Sequence, residues 1–94
     1  MNMKTISSDD YFKTDDTSLA AYLYCMGFRI IEIDYSNTRA KIFFSKNSPK
    51  IHEHEQLYYT DKATITPATY SRIHKRLSTV IRRQLPWQEG IINA

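Results

Sequence analysis

Asp15-Asp16-Thr17-Ser18-Leu19-Ala20-Ala21-Tyr22-Leu23-Tyr24-Cys25-Met26-Gly27-Phe28 carries both ends of a helix within fourteen residues. Its two acids and two hydroxyls are N-cap residues, whose oxygens accept hydrogen bonds from the orphan amides of a first turn. Gly27 can adopt the left-handed conformation that closes a helix. Between these ends Leu19, Leu23 and Met26 share one face, and Ala20 beside them lets another element approach closely. The pattern predicts a short amphipathic helix lying across a sheet, with Phe28 leading straight into a strand.

The period on either side of this helix is that of a sheet. Asp10 to Thr14 reads as a short strand with Phe12 inward. After Phe28, Arg29, Ile31, Ile33 and Tyr35 alternate with Phe28, Ile30, Glu32 and Asp34, and the acids mark the wetter face. Ser36-Asn37-Thr38 is a tight connection, because Asn tolerates a left-handed backbone. Arg39 to Ser45 forms the returning strand, with Ala40, Ile42 and Phe44 on one side and Arg39, Lys41 and Phe43 on the other.

Ser48-Pro49 then starts a second helix that runs through Ile51 and Leu57 to about Tyr59, since proline fits the first helical position. Ala63-Thr64-Ile65 is a brief extended piece and a candidate fourth strand. Thr66-Pro67 repeats the cap-plus-proline device and opens the longest helix, which runs to Gln84 and is stopped by Leu85-Pro86. The expected class is α+β: a mostly antiparallel sheet with helices on one face, in the order β-α-β-β-α-(β)-α. Residues 10–85 form the domain, 1–9 are expected to fray, and 86–94 form a tail in which Trp87 should dock.

Composition narrows the function. The 94 residues are 41% hydrophobic and 24% charged, the balance of an ordinary globular domain rather than a disordered chain. No run approaches the roughly 20 apolar residues that span a bilayer. Met1 to Lys4 lacks the apolar stretch of a signal peptide, and one cysteine allows no internal disulfide, so a cytoplasmic location without membrane partners is expected. Residues 1–34 hold three basic and six acidic side chains, whereas residues 35–94 hold ten and four. The net charge of +3 therefore conceals a basic second half, which bears on partners rather than on fold.

Motifs for catalysis and metal binding are missing from the sequence. There is no nucleophile elbow, phosphate-binding loop or dinucleotide fingerprint. Asp15-Asp16 reads as a helix cap, and Cys25 as a small apolar residue. His52 and His54 point about 200° apart on a helix, so they cannot chelate one ion together, and a solvated polar face is the simpler reading. His74 reads as packing. A non-enzyme with no cofactor, no metal and no small-molecule substrate is expected.

The last helix is the most informative surface. Tyr70, Ile73, Leu77, Val80 and Ile81 form an apolar stripe, and Arg72, Lys75, Arg76, Arg82 and Arg83 fall opposite. No acid occurs between Lys62 and Glu89, so the helix offers these cations no partner of its own. Such a face is either a solvated surface or a landing site for phosphates or an acidic protein. Arg39 and Lys41, on the second face of the hairpin, would extend it if that face is open. The seven tyrosines serve either a contact surface or the rim of a small core.

Tyr11-Phe12-Lys13-Thr14-Asp15, then Leu19-Ala20-Ala21-Tyr22-Leu23 and Gly27-Phe28, followed by a hairpin, resemble a family of small uncharacterised domains in phage and bacterial genomes. The resemblance spans residues 11–83 in pattern and is most specific over 11–28. It implies a compact α+β domain in a phage or mobile-element setting and assigns no catalytic residue. A small accessory binding protein is therefore expected, with nucleic acid as its partner. The alternatives are a protein-binding inhibitor, as of a host defence system, and a homo-oligomer built through an edge strand or Trp87.

Overall fold

Each helix boundary is set by local chemistry. In the computed structural model, which describes residues 11–45 and 47–88, helix α1 spans Thr17–Cys25. Asp16 caps it, its Oδ1 accepting from the Leu19 amide at 3.1 Å. The Asp16 amide in turn donates to Thr14 Oγ1, which fixes the chain as it leaves strand β1, Phe12–Thr14. Gly27, at φ 100°, closes α1 with the Phe28 amide on the Leu23 carbonyl and the Gly27 amide on that of Tyr24. Helix α2, Pro49–Tyr59, begins with Ser48 Oγ accepting from the Ile51 amide. Helix α3, Pro67–Arg82, relies on Pro67 alone, because the Thr66 side chain makes no capping bond.

The ends of α2 and α3 repeat the closure of α1 without glycine. Asp61 at φ 65° and Gln84 at φ 56° take the left-handed position, and the amides of Lys62 and Leu85 reach back to the Leu57 and Val80 carbonyls. Each costs about 1 kcal/mol relative to glycine. The expected fraying of residues 1–9, the start of β1 at Asp10 and residues 89–94 of the tail lie outside the described residues.

Among the described residues the sheet has three antiparallel strands in the order β1-β3-β2, where β2 is Ile30–Asp34 and β3 is Lys41–Phe44. The hairpin forms as the sequence predicts, and β1 adds to its far side with Phe12 opposite Phe44. The alternation predicted for β2 does not hold. Ile30 faces Phe44 and Glu32 faces Phe43, so Ile31 is an extra residue in the ladder. This bulge resets the phase: Ile30 and Ile33 are both buried, while Ile31 is 40% exposed. A regular strand would have turned one of the two outward.

The candidate fourth strand is also absent, as residues 62–66 adopt no regular structure. A strand needs a ladder partner, and this segment instead turns Ala63 and Ile65 onto the core beside the helices.

All three helices cover one face of the sheet, and α1 lies between the other two. Phe12, Ile30, Ile33, Ile42 and Phe44 from the sheet meet Leu19 to Leu23, Ile51, Ile73, Leu77 and Val80 from the helices. Because α1 has neighbours on several sides, its whole run Leu19-Ala20-Ala21-Tyr22-Leu23 is buried, rather than the single stripe an amphipathic helix would bury. On α2 the inward residues are Ile51, His54 and Tyr58, three and four apart, whereas Leu57 is 38% exposed. His54 is thus not part of a solvated face: the rings of Tyr22 and Phe28 flank it at 6.0 and 5.5 Å, and Tyr22 Oη lies 3.1 Å from its Nδ1. His52 stays outward, bonded to Asn47 and set edge-on to Phe12.

Trp87 docks edge-on against Tyr24 at 5.6 Å. The Tyr35 hydroxyl, just past β2, helps to seat it by donating to the Leu85 carbonyl (2.7 Å), with the Val80 carbonyl 3.2 Å from the same oxygen. Among the described residues no helix is long and apolar enough to cross a membrane.

Candidate nucleic-acid interface

The inward stripe of α3 orients its charges. With Ile73, Leu77 and Val80 buried, Arg72, Lys75, Arg76, Arg82 and Arg83 are all exposed on the other side. Steps of three and four residues carry the row from Arg72 through Lys75, Arg76 and Thr79 to Arg82 and Arg83, which makes one continuous stripe. At 1.5 Å per residue it is roughly 16 Å long, about five base steps of a nucleic-acid strand. Arg72, Lys75, Arg76 and Thr79 line a shallow groove of about 300 Å³ along it. Thr79 keeps its hydroxyl on the Lys75 carbonyl, 3.0 Å away. Among the described residues Lys75, Arg76, Arg82 and Arg83 make no ion pair.

Arg39 and Lys41 do not join this stripe. Ile42 and Phe44 face the helices, so Lys41 between them and the turn points to the opposite side of the sheet. Lys41 stands across the ladder from Asp34. The Asp34 carboxyl is held below its ordinary range, first by the Ser36 amide and hydroxyl and further by the Lys41 charge. Arg39 reaches Asp15, with its Nε 3.4 Å from Oδ2. Both cations therefore face acids that the sequence separates from them or places across a turn.

Burial pushes the Cys25 thiol up, a shift that the Arg72 charge opposes, which suits a packing residue rather than a nucleophile. Among the described residues no three His, Cys, Asp or Glu side chains converge on a metal position.

A second feature escapes sequence reasoning. Tyr22, Tyr58, Tyr59 and Tyr70, with Asp61, Ala63 and Ile65, line a cleft of about 450 Å³. Tyr22 and Tyr58 lie 5.7 Å apart at 30°, and Tyr59 stands nearly perpendicular to Tyr58 at 5.3 Å. Two of the hydroxyls are held by the protein: Tyr59, itself 55% exposed, donates to Asp16 Oδ2 at 2.7 Å, and Tyr70 to the Ser18 carbonyl at 3.2 Å. The only hint in the sequence is the Tyr58-Tyr59 pair, since the other lining residues come from α1, the α2–α3 connection and α3. These tyrosines do not interleave with the basic stripe.

Burial raises the pKa of Tyr22, Tyr35 and Tyr70. Tyr59 is pushed up to about 12 by burial, by its hydrogen bond to Asp16 and by the negative charges of Asp16 and Glu55. A raised phenol contributes stability that is complete below the unfolded value of about 10 and is lost as pH climbs towards the folded value. The raised tyrosines should therefore make denaturation midpoints fall between about pH 10 and 12, beyond the loss that the raised Cys25 thiol begins at lower pH. Tyr59→Phe should remove part of that fall, and an identical pH profile for variant and wild type would contradict the Asp16 bond.

No curated protein and no solved structure matches the chain. A family model matches residues 9–83, which takes in the sheet, all three helices and the basic stripe. The chain belongs to the family described as a domain of unknown function, DUF5659.

Proposed function

We propose that this domain is a non-enzymatic accessory module, in the phage or mobile-element setting that the resemblance implies, that binds nucleic acid through the phosphate backbone along α3. The observation that carries this reading is the continuous row of exposed cations on a helix without a single acid. Guanidinium groups suit phosphates because their planar fork donates two parallel hydrogen bonds. Contacts of this kind position a protein without reading sequence, so discrimination between unrelated sites should be weak.

Fluorescence anisotropy with two unrelated 20-mer duplexes across a salt series tests the proposal. Both duplexes should bind alike, with log affinity falling against log salt by about 0.9 for each phosphate engaged. Four to five contacts would give a slope near −4. The absence of nucleic-acid binding at low salt would overturn the reading and favour an acidic protein as the partner.

A further inference from the structure

The tyrosine cleft is distinct from the basic stripe, and we infer that it is a binding site for an organic cation, an alkylated ammonium or guanidinium group. Aromatic faces attract cations through the ring quadrupole, and several rings at differing angles do so from more than one side. Tyr58 and the 55% exposed Tyr59, nearly perpendicular to each other, supply two of the walls here, and Tyr22, only 2% exposed, backs Tyr58 from the core. The hydroxyls of Tyr59 and Tyr70 are bound to Asp16 and to the Ser18 carbonyl, which fixes where the ring tips sit before any ligand arrives.

The charge around the cleft has the matching sign. Asp61 lines it, and the carboxylates of Asp16 and Glu55 are close enough to act on the Tyr59 phenol. A phosphate or carboxylate ligand would meet these three acids, whereas a cation would be drawn in. Lys62, next in the chain, is exposed and does not line the cleft. Ala63 and Ile65 supply an apolar patch of the kind that methyl groups on a quaternary ammonium would cover. The volume, about 450 Å³, falls within the range of small-ligand pockets.

The cation could belong to a free small molecule or to a modified side chain of a protein partner, and one experiment covers both. The full chain, labelled with nitrogen-15, is titrated with choline, with N-acetyl-trimethyl-lysine methylamide, and with 3,3-dimethylbutan-1-ol, the neutral carbon isostere of choline. Saturable shifts of the amides from Tyr58 to Thr66 are expected with one or both cations, and at least several-fold weaker binding with the isostere. Tighter binding of choline assigns a free ligand, and tighter binding of the lysine derivative assigns a side chain.

Tyr59→Leu should weaken the better cation roughly 2- to 30-fold, the range of one cation–ring contact. Asp61→Asn should also weaken it, and because asparagine accepts the left-handed backbone this variant keeps the end of α2 intact. Neither variant should alter nucleic-acid affinity, so this proposal and that of the α3 stripe fail separately. Equal binding of choline and its isostere, or no saturable shift with either cation, would overturn the assignment.

Discussion

Leu23→Ala should destabilise the domain by about 2–5 kcal/mol, the cost of removing a leucine from a packed core. Leu23 is 0% exposed and lies in the last turn of α1, the helix that the sheet, α2 and α3 all pack against. Its carbonyl also receives the Phe28 amide that closes the helix, so disorder there would reach the entry to β2. A domain of this size has about 5–15 kcal/mol in total, and a loss in the upper part of the range would leave much of the protein unfolded. Leu57→Ala on α2 is the matched control. That leucine is 38% exposed, and its truncation should fall within about 0.5 kcal/mol, as surface changes do. Urea denaturation of the two variants distinguishes them, and a Leu23→Ala loss as small as that of the control would remove α1 from the centre of the fold.

Features encoded within a few residues were legible in the sequence, and those assembled across the chain were not. Asp16, Gly27, Ser48-Pro49 and Pro67 mark helix ends through their own backbone preferences, so α1, α2 and α3 begin and end close to where the sequence places them. The α3 stripe was legible for the same reason, since sixteen residues of unbroken helix sort their own faces. Ile30-Ile31 was ambiguous because either phase offers an isoleucine to the core, and only pairing with Phe43 and Phe44 shows where the bulge sits. The pairing of Arg39 with Asp15, twenty-four positions away, is revealed by no local pattern. The tyrosine cleft is the extreme case. Tyr22 and Tyr70 are far apart in sequence and line one cavity only because α3 packs on α1 beside α2.

The second large effect concerns binding. Lys75→Glu/Arg76→Glu/Arg83→Glu reverses three cations of the α3 row that make no ion pair among the described residues. If each engages one phosphate, the slope of log affinity against log salt should become shallower by roughly 2 to 3. At 0.1 M salt the affinity should fall on the order of a hundredfold or more, equally for unrelated sequences. Folding should survive, because these side chains lie opposite Ile73, Leu77 and Val80. Arg83→Glu, at the C-terminal end of the helix dipole, should cost only about 0.3–1 kcal/mol. Alanine in place of Arg39 and Lys41 should leave affinity within about twofold, since both cations face acids and Lys41 points to the far side of the sheet.

The most direct measurement is therefore a paired one: thermal melting by circular dichroism and duplex binding by anisotropy, for wild type and the triple variant in the same buffer. A melt within a few degrees of wild type together with a collapse of binding and of its salt dependence is the predicted result. An unchanged melt with unchanged binding would contradict it and reduce the α3 stripe to a solvated face.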